Sequence, residues 1–245
     1  MTLNTRKDYD DSTVGQGSKN YSLQKASEFV KFIHSQVSPF LSECIFYESQ
    51  KKLGNAPCVE LPNGKLAIAP DLRCVTKNGN VFWIEVKDKS QRFYHPDTGA
   101  DIFQVYGWYN IFKYYKEPVF VLFKDPSFDS CLPKEPSAGK LMEFKKRWEM
   151  FNGETYGGWL SELLIEDEKY PRVFQEHSRE LIMYILYFRV ALMTKVSDFN
   201  MLIDAIDNKT VLNVKDEIKA YYHGDNSLLT EEKIRKLIVS LFKQY

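Results

Sequence analysis

The sequence predicts an α/β fold followed by a mainly helical C-terminal extension. Three segments indicate the α/β part: a run with helical spacing (SLQKASEFVKFIHSQ), an Asn78-Gly79 pair between two strand-like runs, and the wholly apolar run PVFVLF at 118–123. Asn-Gly between such runs is a strong hairpin signal. A short continuous apolar run is typical of a strand buried on both faces.

The chain divides into four predicted parts. These are a flexible N-terminal arm (1–20), an α/β core (21–125), a linker or long loop rich in Pro and Ser (126–139) and a helical region (140–245). Within the last part, we expect a long buried helix over 173–194, because this segment is rich in apolar residues.

The first helix is predicted from apolar residues that recur every three or four positions. Ala26, Phe29, Val30 and Ile33 follow this spacing, which places them on one face of a helix. We therefore expect a helix here, and Ser22 could cap it.

The hairpin is predicted to gather charged residues at one place. The run 81–86 (VFWIEV) is a strand in which alternate residues share a face, so Glu85 and Lys87 point to the same side. Pro70 lacks an N–H and suits a strand edge or bulge, where a side chain is re-aimed. We expect the hairpin to bring Asp71, which follows this proline, alongside Glu85 and Lys87.

Two carboxylates and an ammonium group so placed are suited to hydrolysis of a phosphodiester. Mg²⁺ takes oxygen ligands and keeps several waters, so Asp71, Glu85 and the Val86 carbonyl are sufficient ligands. Such a metal polarises a phosphoryl oxygen and lowers the pKa of bound water, while Lys87 orients or helps to deprotonate that water. The alternative is a surface hairpin whose Glu85 and Lys87 are merely solvated.

This pattern resembles the PD-(D/E)XK nuclease superfamily over about residues 20–125. The resemblance implies a restriction-endonuclease-like core, in which helices flank a central mixed sheet. It also implies that Asp71 and Glu85 bind Mg²⁺, for which Mn²⁺ substitutes, and that Lys87 serves the attacking water. Many members add an acid from the first helix, and Glu28 is the best match here. Glu43 and Glu48 are competitors nearer the next strand, and a solvated helix residue is the alternative for Glu28.

The helix that follows the strand carries a second resemblance. RecB-like and lambda-exonuclease-like members have a glutamine there, usually with a tyrosine one turn later. Gln104 matches in DIFQVYGWYNIFKYYK, but Trp108 occupies the position of the tyrosine. The resemblance implies that Gln104 contacts metal-bound water or phosphate. A glutamine that simply faces the cleft or solvent is the alternative.

The function that this resemblance implies is that of a Mg²⁺-dependent deoxyribonuclease, with endonuclease favoured over exonuclease. DNA is the expected partner, and a homodimer would place two sites on opposite strands. A ribonuclease on the same fold is one alternative. Another is a non-catalytic nucleic-acid-binding or scaffold protein with a nuclease-like fold.

The amino-acid composition excludes few of these functions. The 33 basic and 33 acidic residues cancel, so the positive potential for phosphate must be local. Lys89 and Arg92 after the motif, and Lys113 and Lys116 on the next helix, are the candidates. No two of the four cysteines have zinc-site spacing. We expect a cytoplasmic protein, because the N-terminus is polar and no segment is long enough to span a membrane.

Overall fold

The computed structural model describes residues 16–53, 56–87, 98–124, 155–165, 172–178, 181–222 and 228–236. Its helices are α1 (Gln16–Val37), α2 (Ile102–Tyr115), α3 (Leu160–Leu163), α4 (Asn200–Asp207) and α5 (231–236). Its strands are β1 (Glu43–Phe46), β2 (Lys52–Leu53), β3 (Ala56–Glu60), β4 (Leu66–Ile68), β5 (Leu72–Val75), β6 (Val81–Lys87), β7 (Gly99–Asp101), β8 (Val119–Lys124), β9 (Thr155–Trp159), β10 (Arg172–Ser178), β11 (Leu181–Tyr187), β12 (Thr194–Lys195), β13 (Ala220–Tyr222) and β14 (Leu228–Leu229).

The largest sheet is mixed and has the strand order β1-β5-β6-β8-β9-β12. Strands β1, β5 and β6 are antiparallel, whereas β6 and β8 are parallel. Parallel neighbours need a crossover connection, and α2 lies between β6 and β8 in the chain. A five-stranded sheet (β14-β13-β10-β11-β7) and a three-stranded sheet (β2-β3-β4) complete the fold. The predicted α/β class is confirmed.

Strand β6 is buried on both faces, and each face contributes to a different core. The side with α1 contains Phe29, Ile33, Val37, Phe82, Ile84 and Val86, and the side with α2 contains Trp83, Val105, Trp108, Ile111, Val119 and Val121. The predicted apolar stripe of α1 therefore packs on the sheet. On β6, Glu85 and Lys87 alternate with Ile84 and Val86, so their side chains lie on the opposite face, the α2 side.

The predicted hairpin is present between β5 and β6, but its turn is not the two-residue Asn-Gly turn. The Thr76 and Gly79 amides donate to the Asn80 and Thr76 carbonyls, at 2.8 and 2.9 Å. Within this turn only Gly79 has a positive φ, of 81°, whereas a two-residue Asn-Gly turn requires it at both positions. The Asn78 side chain instead donates to Asp207 of α4 at 2.8 Å.

Pro70 and Asp71 lie where the chain changes sheets. β4 belongs to the three-stranded sheet, and β5, which begins directly after Asp71, belongs to the six-stranded sheet. Because proline cannot donate to a ladder, it suits the point where one pairing ends. The Asp71 carbonyl accepts from the Tyr47 amide at 2.9 Å, so the new pairing with β1 starts at once.

Gly107 lets α2 lie directly on β4. A Cβ atom at this position would come within 2.7 Å of both the Ile68 nitrogen and the Ile68 oxygen, which are backbone atoms. Gly107→Ala is therefore expected to lower the free energy of unfolding by about 1–3 kcal/mol through overpacking. Urea unfolding measures this, with Lys31→Ala at an exposed position of α1 as control. An unchanged midpoint would show that α2 and β4 separate easily.

Asp207 ties α4 to the β5–β6 hairpin. Its carboxylate accepts from Thr76 Oγ1 (2.7 Å), Asn78 Nδ2 (2.8 Å) and Asn80 Nδ2 (2.8 Å). Burial raises the pKa of this carboxyl, but the hydrogen bonds from Asn80, Thr76 and Asn78 together outweigh burial, so its pKa is lowered.

Asp207→Ala is expected to lower the free energy of unfolding by about 1 kcal/mol, a small value for a charged acceptor because the site is partly exposed. The folded-state pKa lies below the unfolded value, so this stability is fully present above a pH of about 4 and is lost as the pH falls through the folded pKa. Thermal unfolding from pH 7 down to pH 3 measures it. Asp204→Ala on the same helix is the control, and equal losses in both variants would contradict the assignment.

The prediction of a mainly helical C-terminal region is wrong for the segment expected to be its longest helix. The segment 173–194 forms no long helix: β10 and β11 pair antiparallel over their full length, from Arg172 with Tyr187 to Ser178 with Leu181. β11 also pairs with β7, so it is a central strand. A continuous apolar run fits a central strand and a buried helix equally well, and here the neighbouring strands decide.

The predicted domain boundaries also differ from the structure. Residues 16–20 of the expected arm are helical in α1. β9 and β12 complete the same sheet as β6, so these two strands of the expected helical region belong to the core. Residues 1–15 and the predicted linker 126–139 lie outside the described residues. None of the described helices has the length and apolar character needed to cross a membrane.

Candidate active site

Asp71 lies beside the end of β6, as the hairpin predicted. Its Oδ2 atom accepts a hydrogen bond from the Val86 amide at 2.9 Å. Register explains this contact: Leu72 pairs with Ile84, so Asp71, which directly precedes β5, lies alongside the next residues of β6. Its carboxylate therefore meets the backbone amide between Glu85 and Lys87.

Glu85 and Lys87 form an ion pair that is largely removed from water. Lys87 Nζ is 2.5 Å from Glu85 Oε1, and the side chains are 12% and 5% exposed, respectively. Such burial is costly for charges unless they are partnered. The alternative of a solvated surface hairpin is therefore wrong for this pair.

Gln104 and Trp108 of α2 complete the surroundings of Lys87. Lys87 Nζ donates to Gln104 Oε1 at 2.9 Å and lies 5.3 Å from the centre of the Trp108 ring. The two residues are one turn apart, so both face the ammonium group. An amide oxygen and an aromatic face stabilise the cation that Glu85 also holds. Lys87 is thus fixed by three neighbours.

The start of α2 is held by its own cap. Asp101 accepts a hydrogen bond from the Phe103 amide at 2.8 Å, as an N-cap residue does. Gln104 lies in the first turn that follows. The cap therefore fixes the part of the helix that reaches Lys87.

Glu28 lies on α1, on the opposite side of the sheet from Gln104. Its side chain is exposed, and the neighbouring Phe29 ring lies 5.4 Å from Lys124 Nζ at the end of β8. Lys87 pairs with Phe123, so Lys124 lies at the same end of the sheet as Lys87. This puts Glu28 near that end, and its role at the site stays a prediction.

The donors available to a metal are two carboxylates and a backbone carbonyl. In the part of the chain that the structure describes, no group of three or more His, Cys, Asp or Glu side chains comes together. Asp71, directly before β5, binds the Val86 amide, and Glu85 is the preceding residue on β6. The predicted third ligand is the Val86 carbonyl. An all-oxygen set with few protein ligands fits Mg²⁺ or Mn²⁺ and not Zn²⁺.

Two of the predicted phosphate-binding lysines lie away from this cluster. Lys113 is nine residues beyond Gln104 on α2, about 14 Å along the helix axis. It donates to the Asp216 carbonyl at 3.2 Å and lies over the Tyr109 ring. Lys116 is the left-handed residue that ends the helix. Lys89 and Arg92 lie outside the described residues.

Trp108 is a contributor that the sequence marked only as a departure from the expected tyrosine. Its side chain is fully buried and its ring lies beside the Lys87 ammonium. Its Nε1 atom has no hydrogen-bond partner among the described residues. Its spacing of four residues from Gln104 was the available signal. No protein-family model, curated protein or solved structure matches this chain.

Proposed function

We propose that this protein is a metal-dependent nuclease that hydrolyses DNA phosphodiester bonds, using Mg²⁺ or Mn²⁺ and a restriction-endonuclease-like core. The observation that carries the proposal is the convergence of Asp71, Glu85, Lys87 and Gln104. Four polar residues from three elements meet at the end of β6, where Asp71 bonds to Val86 and Lys87 bonds to Glu85 and Gln104. The order helix, hairpin, crossover helix and parallel strand supports the same core.

In this proposal each residue has a distinct task. Asp71, Glu85 and the Val86 carbonyl would hold the metal, which would supply polarisation of the phosphoryl oxygen and lower the pKa of a bound water. Lys87 would orient the attacking water or stabilise the charge that develops on the phosphate. Gln104 positions Lys87 through the hydrogen bond to Nζ. Glu28 is an additional acid near the same end of the sheet.

The ion pair between Glu85 and Lys87 also favours a catalytic role over a structural one. Burying two charges usually contributes little to net stability, because desolvation offsets their attraction. An apolar pair at these positions would continue the core of β6. A site that needs an acid and an ammonium together provides a reason to keep both charges.

The test is cleavage of supercoiled plasmid, linear duplex DNA and single-stranded RNA by the purified full chain in Mg²⁺, Mn²⁺ or EDTA. We expect nicked and linear plasmid products with either metal and none in EDTA. Asp71→Asn is the inactive variant, and Asp198→Asn is its matched control. Metal-dependent cleavage of RNA alone would assign a ribonuclease. Binding without cleavage of any substrate would assign a non-catalytic binding protein.

The state of assembly is a separate question. We propose that the nuclease acts as a homodimer, because a twofold axis would place two active sites on the two antiparallel strands of a duplex. Sedimentation velocity with and without duplex DNA measures this. A single boundary at monomer mass in both conditions would contradict a dimer.

A further inference from the structure

Two cysteines face each other across the edge of the main sheet. Cys44 of β1 is the direct antiparallel partner of Cys74 of β5, and their Sγ atoms are 3.7 Å apart. The sulfurs are in hydrogen-bond contact, and both are free thiols. This pair lies on the α1 side of the sheet, away from the charged cluster.

The backbone geometry at this pair suits a covalent link. Continuing the register places Tyr47 opposite Asp71, where the backbone hydrogen bond of 2.9 Å marks a hydrogen-bonded pair. Such pairs alternate along a ladder, so Cys44 and Cys74, three positions away, form a non-hydrogen-bonded pair with Cα atoms about 4.5 Å apart. Disulfides need Cα separations of about 4.4–6.8 Å. Closure therefore requires side-chain rotation and not strand movement.

We propose that Cys44 and Cys74 are an oxidisable dithiol that closes into an intrachain disulfide and clamps edge strand β1 onto β5. The oxidant is a small disulfide such as oxidised glutathione. The Cys44 thiolate attacks one sulfur of the oxidant and expels one glutathione thiolate, which takes up a proton. The Cys74 thiolate then attacks Cys44 Sγ in the mixed disulfide and expels the second glutathione. Two protein thiols are oxidised and one small disulfide is reduced.

The environments of the two thiols fit these different tasks. Cys44 is half-buried and accessible to a small oxidant, whereas Cys74 is fully buried and accessible only to its neighbour. The hydrogen bond from Cys74 lowers the pKa of the Cys44 thiol despite burial. The pKa of Cys74 is raised, first by its hydrogen bond to Cys44 and then by burial. Cys44 is therefore the attacking thiol and Cys74 the resolving thiol.

The consequence of closure lies at the exposed edge of the sheet. β1 has only four residues and lies at the edge of the sheet, where it pairs with β5 alone, so it is open to fraying. The link would hold β1 against β5, the strand that begins directly after Asp71. We expect a higher Tm and slower amide exchange in β1 after oxidation.

The test is oxidation of the full chain with oxidised glutathione, followed by peptide mapping by mass spectrometry without reductant. We expect a cross-linked peptide pair containing Cys44 and Cys74, with loss of two of the four thiols and of two hydrogens in mass. Cys58→Ser removes another buried cysteine and should leave the cross-link intact. Cys74→Ser should instead accumulate one glutathionyl group on Cys44.

Three results would overturn the proposal. The first is a stable glutathionyl group on Cys44 of the unaltered chain, with no internal bond. The second is failure of both thiols to react while the chain stays folded. The third is a cross-link from either residue to Cys58 or Cys131. The mapping of the unaltered chain decides the matter even where a serine variant does not fold.

Discussion

Asp71→Asn is expected to reduce metal-dependent DNA cleavage by about 100- to 1,000-fold, the loss typical when one electrostatic contribution to a polar transition state is removed. The amide oxygen of asparagine can still accept the hydrogen bond that Asp71 Oδ2 now receives from the Val86 amide. The substitution therefore removes a charge and a metal ligand with little change of shape. The thermal unfolding midpoint should remain close to that of the unaltered chain.

The matched control for this variant is Asp198→Asn. Asp198 is exposed and accepts a hydrogen bond from the Asn200 amide at 2.9 Å, so the chemical change and the local hydrogen bonding are comparable. Initial rates of plasmid nicking, measured across a Mg²⁺ titration, compare the two variants. Cleavage by Asp71→Asn at the same rate as the control would remove Asp71 from the site, and equal loss in both would point to a folding effect.

The second large effect is expected on stability, from removal of the Lys87 ammonium. Lys87→Met keeps an unbranched side chain but removes the ammonium group that pairs with the buried Glu85 carboxylate. Loss of one partner of a buried ion pair costs about 3–5 kcal/mol. Glu85→Gln should cost less, because Lys87 keeps the hydrogen bond to Gln104 and the contact with the Trp108 ring. Chemical denaturation measures both free energies of unfolding.

The double variant completes the cycle. Combining Glu85→Gln with Lys87→Met removes both charges, so much of the stability lost in Lys87→Met should return. Lys236→Met is the control, since Lys236 and Glu232 form an exposed pair at 2.8 Å in α5, and no measurable change is expected there. If the losses of the two single variants simply add, Glu85 and Lys87 do not interact as the structure shows.

The local part of the candidate site was predictable because it depends on strand geometry alone. Alternation along 81–87 placed Glu85 and Lys87 together, and the turn at Gly79 returned the chain so that Asp71 met them. Gln104 was predictable as a candidate only through the resemblance. Its hydrogen bond to Lys87 depends on how α2 crosses the sheet, and that crossing depends on contacts such as Gly107 with Ile68.

By itself, the sequence determined the features whose causes are local: the β5–β6 hairpin, the face shared by Glu85 and Lys87, and the apolar stripe of α1. Only the tertiary structure decided that β10 and β11 are paired strands and that Cys44 opposes Cys74. The physical reason is that a continuous apolar run is equally compatible with a buried helix and with a central strand. The partners that complete its hydrogen bonds, here β7 and β13, come from distant parts of the chain.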